Sequence, residues 1–154
     1  MIYFRYLNYI LRHKWFVLVE CFKVGLYWRG LTHDMSKLLP SEFFPYAHYF
    51  YGKDINDQLQ EEFDTAWLVH QKRNKHHPQY WIRIEDSGNI IPMKMPNVYR
   101  LEMLCDWIGA GMAKVGKNDV VSWYDQNRKN VFLHEETREW IEKKIDHYRE
   151  NMRS

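Results

Sequence analysis

Imidazole and carboxylate groups stand at positions of this sequence where solvated side chains are not expected: His13, the adjacent pair His33-Asp34, His70, the pair His76-His77, and Asp106. These two side-chain types together form the ligand set for Zn, Mn, Fe, Co and Ni. His13 interrupts an otherwise apolar helical face of Tyr6, Ile10, Val17 and Val24, and His70 extends a second such face made by Leu59, Phe63, Ala66 and Trp67. Asp106 falls on the Tyr99, Met103 and Ala110 side of a helix whose opposite stripe, Leu101, Leu104, Cys105, Ile108 and Met112, is also apolar. A carboxylate in such a place must find a cation, a metal or a donor. One or two divalent transition-metal ions would supply the charge that each isolated carboxylate lacks, and neutral imidazoles add no repulsion around them.

Each residue also has a plainer reading. His13 can be a core histidine bonded to a carbonyl, Asp34 a capping carboxylate near Thr32, and Asp106 a partner of Arg100 or Lys114, although both of these point elsewhere on the helix. His70 can pair with Asn74, and His48 rivals it as an additional ligand. His76-His77-Pro78 can simply end a helix, because a residue before proline is pushed out of helical geometry. The Lys72, Arg73, Lys75 cluster is ordinarily a solvated face, but beside a phosphate site it would steer an anion.

A helix is expected from about Tyr3 to Val24, a break between Gly25 and Gly30, and a brief helix from Leu31 to Leu39 stopped by Pro40. Ser41 is expected to cap a helix carrying Phe43, Phe44 and His48, with Pro45 tolerated in its first turn. Asn56 or Asp57 caps a longer helix to about Lys75. The stretch from Trp81 to Met95 reads as a small β-hairpin turning at Asp86-Ser87-Gly88-Asn89, with Pro92 confining its second strand to an edge. Pro96 opens a buried central helix that runs to about Val115, followed by a short helix near Asp119 to Arg128. An amphipathic helix from Glu135 to Met152 turns Trp140, Ile141, Ile145 and Tyr148 inward. Adjacent residues on a helix diverge by about 100 degrees, so His33 can serve one ion while Asp34 bridges to a second. Lys37, three residues past Asp34, lies where an ammonium can hold a phosphate oxygen.

The chain has 154 residues, 45% of them hydrophobic, which suits one well-filled domain and is short for two. Lys and Arg exceed Asp and Glu by only two charges, so no field argues for nucleic acid or an anionic membrane as partner. Arg5, Arg12, Lys14, Glu20 and Lys23 interrupt the aromatic-rich start well before the roughly 18 residues that a spanning helix needs. Cys21 and Cys105 read as small core residues in a reducing compartment, and a cytoplasmic protein is expected.

The ordered set His13, His33-Asp34, Asp106, with the segment Leu31-Thr-His-Asp-Met-Ser-Lys37, resembles the HD-domain metal-dependent phosphohydrolases, whose pattern is His, His-Asp and a distant Asp. The resemblance covers about Tyr9 to Ala113. The stretch His70 to Trp81 also resembles a family of phage and bacterial proteins of unknown function associated with that superfamily. It implies an all-α, single compact helical bundle with the hairpin near 81–95 as an insertion, a metal-site core over about 9–113 and further helices over about 118–152. Two-metal members of the superfamily carry a lysine at the place of Lys37 and extra histidines between the two Asp ligands, a role that falls to His70 with His76 or His77. Pro78 stands where the cyclic-dinucleotide enzymes have an acidic residue, and Lys37 where small nucleotidases have an acid, so neither narrower substrate class carries over.

The expected function is hydrolysis of a phosphate ester in a nucleotide or other small phosphorylated metabolite. The expected ligands are His13, His33, Asp34, His70, His76, His77 and Asp106; Asp34 and Lys37 act in catalysis, and Lys37, Arg73 and Asn74 bind substrate. Two other classes use the same residues: a di-iron oxygenase, and a non-enzymatic binding module whose metal is structural or absent.

Overall fold

The computed structural model describes residues 1–152. Within them lie seven α-helices: α1 (Ile2–Lys23), α2 (Tyr27–Thr32), α3 (Pro40–Tyr51), α4 (Asp57–Arg73), α5 (Asn97–Val115), α6 (Val120–Asn127) and α7 (Glu135–Asn151). Between α4 and α5, β1 (Ile82–Ile84) and β2 (Ile90–Pro92) form the expected antiparallel hairpin, with Ile82 opposite Pro92 and Ile84 opposite Ile90. Among the described residues the chain is all-α apart from this hairpin. No helix among the described residues is long and apolar enough to cross a membrane.

The helix α1 buries Tyr6, Ile10, His13, Val17 and Cys21, a repeat of three and four residues that keeps one side inward. Val24 was expected on this face but is exposed. The helix stops at Lys23, Gly25 turns the chain with φ of +75°, and Leu26 N–H returns to the Cys21 carbonyl, so Cys21 closes the buried stripe instead. The chief partner of α1 is α5. At their contact a Cβ on Gly109 would fall 2.4 Å from Val17 Cγ2 and 2.9 Å from Val17 N, so a residue without a side chain is needed for the two backbones to meet. His13 lies one turn before Val17 and Asp106 one turn before Gly109.

Met103, Leu104 and Ile108 of α5 enter a cluster with Met95, Val120, Tyr124, Leu133, Ile141 and Ile145. Burying each of these large side chains contributes about 1.5–3 kcal/mol. Ile141 and Ile145 are the buried stripe of α7, with Trp140 and Tyr148 half-buried beside them. A second cluster, Tyr6, Ile10, Tyr46, Ala47 and Ala66, joins α1, α3 and α4. The site lies where the helices of these two clusters converge.

Three local expectations are corrected. The brief helix over Leu31 to Leu39 does not form. α2 ends at Thr32, His33 is extended (φ −52°, ψ 128°), Asp34 is left-handed (φ 53°), and a 3-10 turn follows at Met35–Leu38. Asp is one of the few residue types that tolerates the left-handed region, through its short polar side chain. The helix α3 starts at Pro40 with Leu39 as its N-cap, not with Ser41, so Pro45 lies inside the helix and not in its first turn. Proline suits a first helical position because its φ is already fixed. Finally, α4 is capped by the Asn56 side chain accepting from Leu59 N–H at 2.9 Å, but it ends at Arg73 and not near Lys75. There Asn74 Nδ2 donates to the His70 carbonyl and the chain turns.

Candidate metal centre

His13 comes from α1, His33 and Asp34 from the bend after α2, His70 from α4, His76 and His77 from the turn after α4, and Asp106 from α5. The structure brings all seven together in two groups that share Asp34. In the first, His13 Nε2 lies 3.0 Å from Asp106 Oδ1, 3.6 Å from Asp34 Oδ2 and 3.4 Å from His33 Nε2. His33 Nε2 is 3.3 Å from Asp106 Oδ1 and 3.5 Å from Asp34 Oδ2. Ligand atoms held about 2.0–2.2 Å from a tetrahedral ion stand roughly 3.3–3.6 Å from each other, so the first group has the size of a coordination shell.

In the second group Asp34 turns its other oxygen, Oδ1, to His70 Nε2 and His76 Nε2, each at 3.4 Å, and His77 completes the set. Asp34 Oδ1 and the Nε2 atoms of His70, His76 and His77 are buried without a hydrogen-bond partner. Each such atom costs about 1–3 kcal/mol when left unsatisfied. These are the donor atoms a cation would take, and His76 Nε2 also stands 3.9 Å from Asp106 Oδ2 of the first group. The residues present would therefore suit two cations, with Asp34 offering one oxygen to each group. This sharing does not arise, as expected, from two adjacent helical residues, since both lie outside the helix. The left-handed turn at Asp34 directs its carboxylate between the groups.

Two buried carboxylates that the sequence reading did not single out orient the imidazoles. Glu102 Oε1 is 3.1 Å from His33 Nδ1 and 3.4 Å from His76 Nδ1, and Arg29 Nε donates to its Oε2 at 2.6 Å. Glu42 Oε2 is 2.8 Å from His70 Nδ1, while its Oε1 accepts from Arg73 Nη1 at 2.8 Å. A carboxylate on Nδ1 fixes the ring and leaves Nε2 free for a metal. Glu102 precedes Asp106 by one helical turn, which is the only sequence signal it offers. Glu42 offers none, since a glutamate early in a helix is ordinarily solvated. Glu102→Gln is expected to weaken metal binding about 10- to 100-fold with helical content kept, by competition against a chelating indicator dye. Unchanged affinity would remove Glu102 from the centre.

The fields are strong. Burial disfavours a charged His33, but Asp34, Asp106 and Glu102 outweigh it and push its pKa up to about 10. Burial likewise opposes charge on Asp34, yet His33 and Lys37 hold it well below the carboxylate range; His13 and His33 do the same for Asp106. Glu102 is drawn down to about 2 against burial by His33 and His76. His77 is pushed well down, by burial and then by His76, which keeps it neutral and able to coordinate. At neutral pH the metal-free His33 thus carries a proton that an ion must displace. Metal affinity is expected to rise with pH toward about 10, and calorimetry in buffers of different ionisation enthalpy should show proton release. Buffer-independent heats would contradict this.

Lys37 Nζ lies 2.6 Å from Asp34 Oδ2 and also reaches the neighbouring cleft. Arg73 and Asn74, expected to meet substrate, are directed elsewhere: Arg73 to Glu42, and Asn74 to Ser36 Oγ at 3.0 Å and the His70 carbonyl. Neither lines the cleft. His48 bonds the Tyr3 hydroxyl at 2.7 Å and is in neither group, so of the two rivals it is His70 that joins. The cleft, of about 640 Å³, has His13, His77 and Asp106 on its wall. Arg5, Arg12 and Lys114 line it as well, with Tyr6, Tyr9, Tyr51 and Trp67. Among the described residues neither Arg12 nor Lys114 has an acidic partner within ion-pair distance.

These features define a helical protein with one small hairpin and a buried histidine and carboxylate centre beside a cationic, aromatic cleft. Over residues 3–147 the chain matches a family described as a family of unknown function (DUF5662), and it belongs to that family. No curated protein and no solved structure matches it.

Proposed function

We propose that this chain is an HD-domain-like, metal-dependent phosphohydrolase acting on a nucleotide or other small phosphate ester. The observation that carries the reading is the division of Asp34 between two histidine groups, Oδ2 toward His13 and His33 and Oδ1 toward His70 and His76, beside a cleft lined by cations. A pair of divalent ions bound there supplies water activation near neutral pH and polarisation of the phosphoryl group. The protein supplies the rest. Lys37, between Asp34 and the cleft, neutralises charge that develops on the phosphoryl oxygens. Asp106 has 15% of its side chain exposed against 1% for Asp34, so it is the carboxylate that reaches solvent in the cleft. Its Oδ1 is held by His13 and His33 and its Oδ2 lies 3.9 Å from His76 Nε2, so it stays ionised and can orient a water in the cleft by accepting a hydrogen bond from it. Arg12 and Lys114 attract the anionic substrate, and the tyrosines with Trp67 offer faces on which a base can stack.

The test is metal analysis of the purified protein, followed by a panel of phosphomonoesters and phosphodiesters with Mn, Co, Ni, Mg or Zn added. Phosphate release that depends on metal and is lost in Asp106→Ala supports the reading. Bound iron with oxygen consumption and no phosphate release would replace it with an oxygenase on the same ligands. Tightly held metal with neither activity would leave a binding module.

A further inference from the structure

The helix α1 has two apolar sides, and among the described residues only one is buried against the rest of the fold. Opposite the buried stripe, Phe4, Leu11, Trp15 and Phe22 repeat at seven, four and seven residues and fall within a narrow arc of the helix, with Leu7 and Leu18 half-buried at its edge. Phe4 is 77% exposed and Trp15 61%. The face continues onto α2, where Phe22 meets Tyr27 edge-on at 5.0 Å and Trp28 stands 74% exposed beside exposed Leu31. Phe4, Leu11, Trp15, Phe22, Trp28 and Leu31 leave on the order of 800 Å² uncovered, beyond the roughly 300–600 Å² of a typical largest surface patch and equal to what each partner gives to a standard interface.

We infer that this face is covered by a second copy of the chain, with the two α1 helices antiparallel across a two-fold axis. The order of the residues makes the stripe its own complement. Phe4 and Phe22 each lie nine residues from position 13, and Leu11 and Trp15 each lie two. Antiparallel pairing about that level sets Phe4 against Phe22 of the partner subunit, and Leu11 against Trp15 of the partner subunit, at both ends alike. A two-fold interface demands such self-complementarity, since every contact is made twice. The stripe spans about 27 Å of helix, long enough for the contact to resist splaying. His13, at the centre of the pairing, faces the opposite side of α1, so the interface leaves the metal ligands untouched; it stands independently of the proposed activity.

Sedimentation equilibrium of the full chain, loaded with metal, should give twice the chain mass at micromolar concentration. Leu11→Glu/Trp15→Glu, and separately Trp28→Glu, should give the single-chain mass with helical circular dichroism and metal content unchanged, because the altered side chains are exposed. An equimolar mixture of Leu11→Cys and Trp15→Cys chains, oxidised with a small disulfide reagent, should form the mixed disulfide in preference to either homodisulfide. A wild-type chain that stays monomeric overturns the inference, whether it stays free or binds vesicles of neutral phospholipid through this face. So does a dimer that survives both Glu variants.

Discussion

Asp34→Ala is expected to empty both metal groups at once, whereas His77→Ala should lower the metal-to-protein ratio only from two toward one. Asp34 is the one residue common to the two sets, and its two oxygens face different histidines. His77 belongs to the second set alone. Removing Asp34 would therefore take an anionic donor from both groups, leaving His70, His76 and His77 with no carboxylate in their set. The backbone cost runs the other way. Alanine at a left-handed position costs about 1–2 kcal/mol, and the Lys37 ammonium left without its carboxylate about 3–5 kcal/mol more, so the variant's helical content must be read beside its metal. Metal quantification by plasma mass spectrometry, alongside circular dichroism, reads the result. If Asp34→Ala keeps one equivalent of metal, the bridge is wrong. A wild-type ratio of one in excess metal would remove the second ion and leave His70, His76 and His77 as substrate contacts or as structure.

Lys37→Met should keep the metal and lose turnover, with kcat falling about 100- to 1000-fold, the size associated with losing one fixed charge that stabilises a transition state. Burial opposes the Lys37 charge, but Asp34 and Asp106 more than compensate and raise its pKa, so the ammonium persists throughout the working range of pH. Methionine preserves the apolar stem and removes only the charge. Steady-state kinetics on a substrate identified by the panel separates two cases. A loss in kcat places Lys37 against the transition state, whereas a rise in KM alone means that it binds ground and transition states equally. Wild-type kcat and KM together would take Lys37 out of the reaction.

Much of this arrangement is legible in the amino-acid sequence because burial and polarity conflict there. His13 and His70 sit inside apolar helical periodicities, and periodicity survives folding: both side chains are buried on the faces it assigns. The same rule locates the stripe of α7 and the hairpin. What resists reading depends on local backbone geometry or on which long polar side chain turns inward. Nothing in Leu31 to Leu39 announces that His33 leaves the helix and Asp34 adopts a left-handed turn, since the propensities of the segment permit a helix. Glu42 and Glu102 resemble any solvated helical glutamate until the imidazoles they orient are placed beside them. Arg73 follows the opposite course, with a position that suits an anion on paper and a guanidinium already committed to Glu42.

The left-handed conformation of Asp34 also bears on how such a protein can change. It is the only non-glycine residue with positive φ among those described, so backbone strain and the proposed chemistry coincide at one position. Asp34→Gly would relieve the backbone, but it would also strip the Lys37 ammonium and the surrounding imidazoles of the carboxylate that balances them. Glycine at this position is therefore no route to a sturdier fold. The strained codon is held from two sides, by the neighbouring charges that need its carboxylate for stability and by the proposed reaction that needs it for metal.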